Sequence, residues 1–338
     1  MSINIPSNVT QIGYKAFYNT AIVNNQTNTV KYVGNWAVQC DENAASATIK
    51  SGTVGVAEYA FAYCKSMTNV TIPDGLKYLS DYAFYRDEAL TSVKIPKGVT
   101  ASGSVFSGCT SLASVEISEG VTTISSNMFY NCTSLESVEI PKSVKKIEYS
   151  AFSGCTSLAS IKIPEGVTTI GGSAFSGCTS FESIEIPKSV KTIDYATFQD
   201  CTNLTNVTIS EGVTSIGSSA FKNCTNITEL IIPDTTITIE ASAFAGCYNL
   251  RYVELPAGVT TIGDSAFNIY IEDETIKTTA NVDFSKCSNL KSVGSYAFQK
   301  TGLQRLVVEP AETPVTIGSN AFSDNKALKE VSMPDDVN

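Results

Sequence analysis

Ile161-Lys162-Ile163-Pro164-Glu165-Gly166-Val167-Thr168-Thr169-Ile170-Gly171-Gly172-Ser173-Ala174-Phe175-Ser176-Gly177-Cys178-Thr179 decides the fold, because the same phrase returns along the chain at a fixed interval. Its cysteine recurs at Cys109, Cys132, Cys155, Cys178, Cys201, Cys224 and Cys247, always 23 residues from the last. Such a period marks a solenoid, in which each unit buries its apolar face only against its neighbours. Within the unit, Ile161 and Ile163 alternate with Ser160 and Lys162, the pattern of a short strand with one face inward. Pro164 ends that strand and Glu165-Gly166 turns the chain. Val167–Ile170 is a second β-prone segment, and 171–177 is a glycine-punctuated turn with room for at most one turn of helix. The predicted fold is therefore a right-handed coil of ~23-residue units with short stacked parallel strands and little helix.

Working outward, the phenylalanine of the unit stands at Phe17, Phe61, Phe84, Phe106, Phe129, Phe152, Phe175, Phe198, Phe221, Phe244, Phe267, Phe298 and Phe322. These positions predict one solenoid over residues 1–338, with about thirteen units and a regular block at 95–267. Two insertions, 20–48 and 268–281, interrupt it. In the first, Asn24–Asn28 reads as a polar loop and Tyr32–Val38 as an extra strand; the second carries Ile269–Ile276. Insertions in solenoids emerge on one face, often the binding face, and all other units are generic. Both ends fall within a unit, which predicts an excerpt of a longer chain, and no signal peptide opens it.

Composition narrows the function. The net charge of −10 is spread thinly, without the clustered Lys and Arg that nucleic acid requires. No apolar run approaches the ~20 residues of a membrane span, so no membrane insertion is predicted. The chain has no histidine, which removes Ser-His-Asp and Cys-His catalysis along with the commonest metal ligand. Carboxylate pairs could support glycoside hydrolysis, but the glutamates recur with the repeat as surface decoration. We therefore expect no enzyme, no cofactor and no metal.

Ten cysteines raise a disulfide framework as an alternative. Cys64, Cys109, Cys132, Cys155, Cys178, Cys201, Cys224 and Cys247 should instead form a column of parallel side chains, whose Cβ vectors do not meet. Free Cys packs as a small hydrophobe, so a buried structural ladder is predicted. Cys40 and Cys287 fall off this column, and Asp87 and Asn325 replace cysteine within it as local adjustments. The outward strand positions supply the candidate partner-binding residues: Lys94, Glu116, Glu139, Lys162, Glu185, Thr208, Ile231, Tyr252 and Glu254. Two readings of them stand open: the mixed charges grip a protein surface, or they pair with one another across adjacent strands for under ~1 kcal/mol each. Ile231 and Tyr252 make a less generic patch, suited to anchoring an interface. Trp36, the only tryptophan, reads as core packing of the extra strand, with an exposed anchor as the other reading.

Leu158-x-x-Ile161-x-Ile163 matches the opening of a leucine-rich repeat, but Gly166 stands where that consensus has Asn or Cys, and the cysteine comes earlier, before the leucine. The unit Ile-Pro-x-Gly-Val-Thr-x-Ile-Gly-x-x-Ala-Phe-x-x-Cys-x-x-Leu closely resembles the BspA-like leucine-rich repeats, as does the variant Gly34-Asn35-Trp36-Ala37-Val38-Gln39-Cys40. The resemblance implies an extracellular or cell-surface protein that contacts host or matrix proteins, usually as part of a longer multidomain chain. The expectation is a non-catalytic, monomeric protein-binding or adhesion module using the outward strand face and the two insertions. The alternative is a passive spacer that displays another domain.

Overall fold

The computed structural model describes residues 3–269, 281–307 and 314–332. The chain folds as a parallel-strand solenoid with almost no helix, and we describe residues 1–166 and 167–338 as two units in turn. In the first, strands Ser46–Thr48, Asn69–Thr71, Ser92–Ile95, Ser114–Ile117, Ser137–Glu139 and Ser160–Lys162 lie side by side, each parallel to the next. Alternation sets their faces: Val70, Val93, Val115, Val138 and Ile161 point into the core, while the residues on either side face solvent. A second ladder runs through two-residue strands such as Tyr78–Leu79 and Thr123–Ile124.

The turn after the second ladder forms a third hydrogen-bonded track. Phe61 donates its amide to Ala83 O, Phe84 to Val105 O, Phe106 to Met128 O and Phe129 to Ala151 O, at 2.8–3.0 Å. This registration stacks the rings: Phe61–Phe84, Phe84–Phe106, Phe106–Phe129 and Phe129–Phe152 centres lie 4.8, 5.2, 5.8 and 5.3 Å apart. Each ring is fully buried, stabilising by about 1.5–3 kcal/mol, and the spacing matches favourable offset aromatic pairs. No helical turn forms at 171–177; the segment is a run of hydrogen-bonded turns.

The second unit repeats the plan. Ser183–Ile186 pairs with Asn206–Ile209, Glu229–Ile231 with Tyr252–Glu254 and then Asn281–Asp283, and Arg305–Val307 with Glu330–Ser332. Its short strands run in parallel from Thr192–Ile193 to Thr316–Ile317. Phe175, Phe198, Phe221, Phe244, Phe267, Phe298 and Phe322 stack at 5.0–5.6 Å. The second insertion lies mostly outside the described residues: of Ile269–Ile276, only Ile269 is described, and it is buried.

The first insertion differs from its sequence reading. Tyr32–Val38 is not one extra strand. Val30–Val33 and Trp36–Cys40 are the two arms of an antiparallel hairpin, and Trp36–Cys40 then joins the short-strand ladder beside Gly55–Val56. Gly34-Asn35 turns the hairpin with Gly34 left-handed at φ 58°, where glycine carries no Cβ penalty. The polar stretch before it begins with a one-turn helix, Ala21–Asn24, the only helix among the described residues. Gln26 ties this stretch down, donating to Ile22 O and Tyr32 O and accepting from the Tyr32 amide. Trp36 is 1% exposed, stacks on Tyr78 at 6.0 Å and lies against Gly55, where a Cβ would fall 2.3 Å from the indole.

Candidate functional site

Regular strand register sets the outward column. Lys94, Glu116, Glu139, Lys162, Glu185 and Thr208 are exposed, and Ile231 is 56% exposed. Lys94 faces Glu116 in register and closes an ion pair at 2.5 Å, and this partner raises the Lys94 pKa. Glu139 and Lys162 are also register partners, yet no ion pair joins them. In the second unit, Ile231 stands opposite Glu254, whereas Tyr252 lies in the neighbouring column, opposite Glu229. Tyr252 and Glu254 are half-buried rather than open, and the Tyr252 hydroxyl donates to Glu254 Oε2. Lys286, from beyond the second insertion, pairs with the same carboxylate. The column is thus partly self-neutralised, with Ile231 as its one large apolar residue in the open.

A different face of the first unit carries a tyrosine cluster that sequence reasoning missed. Within residues 1–166, two positions in each turn, two residues before and two after the phenylalanine, adopt left-handed backbone conformations. Ser104, Asn127 and Ser150 fill the first position in later turns, and Gly108, Asn131 and Gly154 the second. In the early turns Tyr59, Tyr82 and Tyr63 stand there instead, at φ 55°, 57° and 65°. Left-handed backbone costs a residue with a Cβ about 1–2 kcal/mol, least for Asn and Asp. The turn geometry throws these side chains outward. Tyr59 stacks on Tyr82 at 4.8 Å and meets Tyr14 at 4.9 Å; Tyr85 sits edge-on to Tyr63 and Tyr82 at 5.5 and 5.4 Å.

Polar contacts hold the N-terminal edge of this cluster in place. Glu58 accepts from the Gln11 amide at 2.6 Å and from the Tyr14 backbone N–H at 2.8 Å, and Gln11 also donates to Asp81. Tyr14 and Tyr18 remain 56% and 64% exposed, with the Lys15 ammonium 4.9 and 4.7 Å from their ring centres. The Arg86 guanidinium lies over Tyr85. Crowding by burial and by neighbouring tyrosines raises the Tyr59 pKa, keeping its hydroxyl protonated at neutral pH. A cavity of about 510 Å³ opens beside the rings, between Tyr14, Tyr18, Tyr59 and Tyr63 and the insertion residues Val38 and Glu42. Aromatic faces, cations and a cavity wall from the insertion therefore meet on one surface.

All ten cysteines are buried, and none is in a disulfide. In the first unit Cys109, Cys132 and Cys155 donate S–H to the carbonyls of Phe84, Phe106 and Phe129, one turn earlier, at 3.2 Å. In the second, Cys201, Cys224 and Cys247 do the same to Phe175, Phe198 and Phe221. These thiols are therefore hydrogen-bond donors as well as hydrophobes, and burial pushes up the pKa values of Cys109, Cys132, Cys201 and Cys224, and that of Cys247 to about 12. Asn325 takes over the role in its turn: its amide donates to Phe298 O and Phe322 O and accepts from the Gly302 and Leu303 backbones. Cys178 lies in the same run of turns and is likewise buried. Cys287 bonds weakly to Pro256 O, apart from the Phe carbonyls, and Cys40 lies on the hairpin beside Cys64.

No group of three or more His, Cys, Asp or Glu side chains among the described residues is placed to hold a metal ion, and no described helix is long and apolar enough to cross a membrane.

No curated protein sequence matches the chain. Among solved structures, the chain is similar to a leucine-rich cell surface protein from Faecalibacterium prausnitzii at 26% identity and a TM-score of 0.47, covering 98% of this chain and 85% of that one. A leucine-rich repeat protein from Bacteroides ovatus matches at 20% identity and a TM-score of 0.40, over 97% of both chains. The pneumococcal vaccine antigen PcpA matches at 18% identity and a TM-score of 0.48, over 89% of this chain and 78% of that one. A family model, described as a BspA type leucine-rich repeat region, matches in overlapping stretches at residues 1–105, 39–159, 90–205, 192–311 and 269–338. With its repeats matched from end to end, the chain belongs to the BspA-type leucine-rich repeat family.

Proposed function

We propose that this chain is a protein-binding or adhesion module of a cell-surface or secreted protein, and that it docks through the tyrosine face of residues 1–166 together with the wall of the first insertion. One observation carries the reading: Tyr59, Tyr63 and Tyr82 occupy left-handed positions that the later turns of residues 1–166 give to Ser, Asn and Gly, and among the described residues of 167–338 only Tyr296 does the same. Fold stability alone favours the small residues there, so the rings, with Tyr63 exposed and Tyr59 and Tyr82 half-buried, point to a role outside the fold. Tyrosine and arginine are the side chains that dominate binding energy at protein interfaces, because they bring large contact area at low entropic cost. Family membership supports a protein-interaction module and carries no catalytic activity with it. The same membership supports a surface or extracellular localisation, and the partner in this reading is a host or matrix protein.

The strand column, with Ile231 exposed on it, is the second reading; the exposed ion pair Lys94–Glu116 weighs against it, since its charges already satisfy each other. The test is binding of the purified chain to immobilised extracellular-matrix proteins. Saturable binding to at least one of them supports the module. Failure to bind any, with the folded state verified by circular dichroism, favours the passive spacer.

A further inference from the structure

The ladder cysteines point in parallel and bond to carbonyls, but Cys40 and Cys64 meet differently. Cys64 belongs to the column, whereas Cys40 closes the insertion hairpin and arrives from a separate element. The Cys40 amide donates to Ala60 O at 2.6 Å, so the hairpin end runs alongside the turn that carries Cys64. Across this junction the Cys64 sulfur reaches the carbonyl of Asp41, the residue next to Cys40, and only at 3.7 Å, whereas the ladder thiols bond their Phe carbonyls at 3.1–3.4 Å. Sulfurs approaching from two non-equivalent backbone positions escape the parallel-vector objection that excludes bridging within the column.

We propose that Cys40 and Cys64 are an oxidation site, closing to a disulfide that fastens the first insertion to the turn stack. Low-molecular-weight disulfides such as oxidised glutathione are the oxidant. The neighbouring Cys64 thiol lowers the Cys40 pKa, which makes Cys40 the attacking thiolate; Cys64 itself is held well above its ordinary value by Cys40 and by burial. Cys40 Sγ attacks one sulfur of the oxidant, its S–S bond breaks, and one glutathione thiolate leaves. Cys64 then loses its proton to solvent and attacks Cys40 Sγ in the mixed disulfide, expelling the second glutathione thiolate. Two protein thiols are oxidised by two electrons, and the oxidant is reduced to two thiols. Both sulfurs are buried, so attack proceeds during local opening of the hairpin end, next to the exposed residues Asp41–Asn43. The bridge ties Val38 and Glu42, on one side of the cavity, to Tyr59 and Tyr63 on the other. It stands independently of the proposed function.

Trypsin separates the two cysteines, because Tyr32–Lys50 contains only Cys40 and Ser51–Lys65 only Cys64. The native chain is equilibrated in oxidised and reduced glutathione, alkylated and digested without reductant, and the peptides are weighed. The expected product is those two peptides joined, two hydrogens lighter than their sum, separated again by dithiothreitol, with the other eight cysteines alkylated. The melting temperature should rise on oxidation, and this rise should be absent from Cys40→Ser. Recovery of both peptides as alkylated thiols or stable glutathione adducts, or of Cys64 joined to another cysteine, overturns the proposal.

Discussion

Cys64 donates its amide proton to Asp87 Oδ1 at 2.9 Å, while Oδ2 of the same buried carboxyl has no partner. Asp87 replaces a ladder cysteine, a place that Asn325 fills with both an acceptor and a donor. Burial pushes the Asp87 pKa from 3.8 up to about 9, so the folded chain holds it as a neutral acid. The folded state thus keeps a proton that the unfolded state releases above about pH 4. Stability contributed by this residue is fully present below that pH and is lost as pH rises towards about 9. Asp87→Asn keeps the acceptor and supplies a permanent donor. We predict that it raises stability at pH 7 by roughly 1–3 kcal/mol and flattens the fall in melting temperature between pH 5 and 9, read by thermal denaturation across that range.

The thiol donors predict a cost beyond lost volume. Cys132→Ala leaves Phe106 O without its S–H donor and opens a small cavity. Destabilisation of about 1–3 kcal/mol is expected, visible as a lower urea midpoint. Amide exchange at the turn following Phe106 should quicken in the same variant.

The Trp36–Gly55 contact leaves no room for a methyl group. Gly55→Ala should displace the indole and destabilise the first insertion by roughly 1–3 kcal/mol. Because Trp36 is the only tryptophan, the change reads directly as a red-shifted emission maximum.

The exposed pair Lys94–Glu116 makes the opposite prediction. Both side chains are more than half exposed, so Glu116→Ala should leave the melting temperature unchanged within error.

The 23-residue return of Cys109 to Cys247 and the stacking of Phe106 to Phe152 were both legible, because a strict period forces equivalent residues into equivalent places. The hairpin at Gly34-Asn35 was missed although Gly-Asn between β-prone runs is a turn signal; the run 32–38 was read for its apolar content instead. The tyrosine cluster was hidden for a different reason. Tyr14, Tyr59, Tyr63, Tyr82 and Tyr85 look scattered in the chain, and only the left-handed backbone either side of Phe61 and before Phe84 gathers them. Aligning units on the phenylalanine and asking which turns place a ring where others place Ser, Asn or Gly would have found it. Tyr252 stands in the column beside that of Glu254, opposite Glu229, and shares its face, so the two side chains meet and leave Tyr252 half-buried, a contact that spacing alone did not reveal.

Binding of paired variants to an immobilised matrix protein that captures the wild-type chain tests the tyrosine face most directly. Tyr59→Ser with Tyr82→Ser installs the residue that Ser104 and Ser150 show the turn accepts, so folding should be retained. The comparison is Glu116→Lys with Glu139→Lys on the strand column. The account predicts that the tyrosine variant loses at least about tenfold in affinity, as expected for removing interface anchors, while the column variant binds like wild type. Undiminished binding by the folded tyrosine variant, with loss confined to the charge reversals, would contradict it and move the interface to the strands.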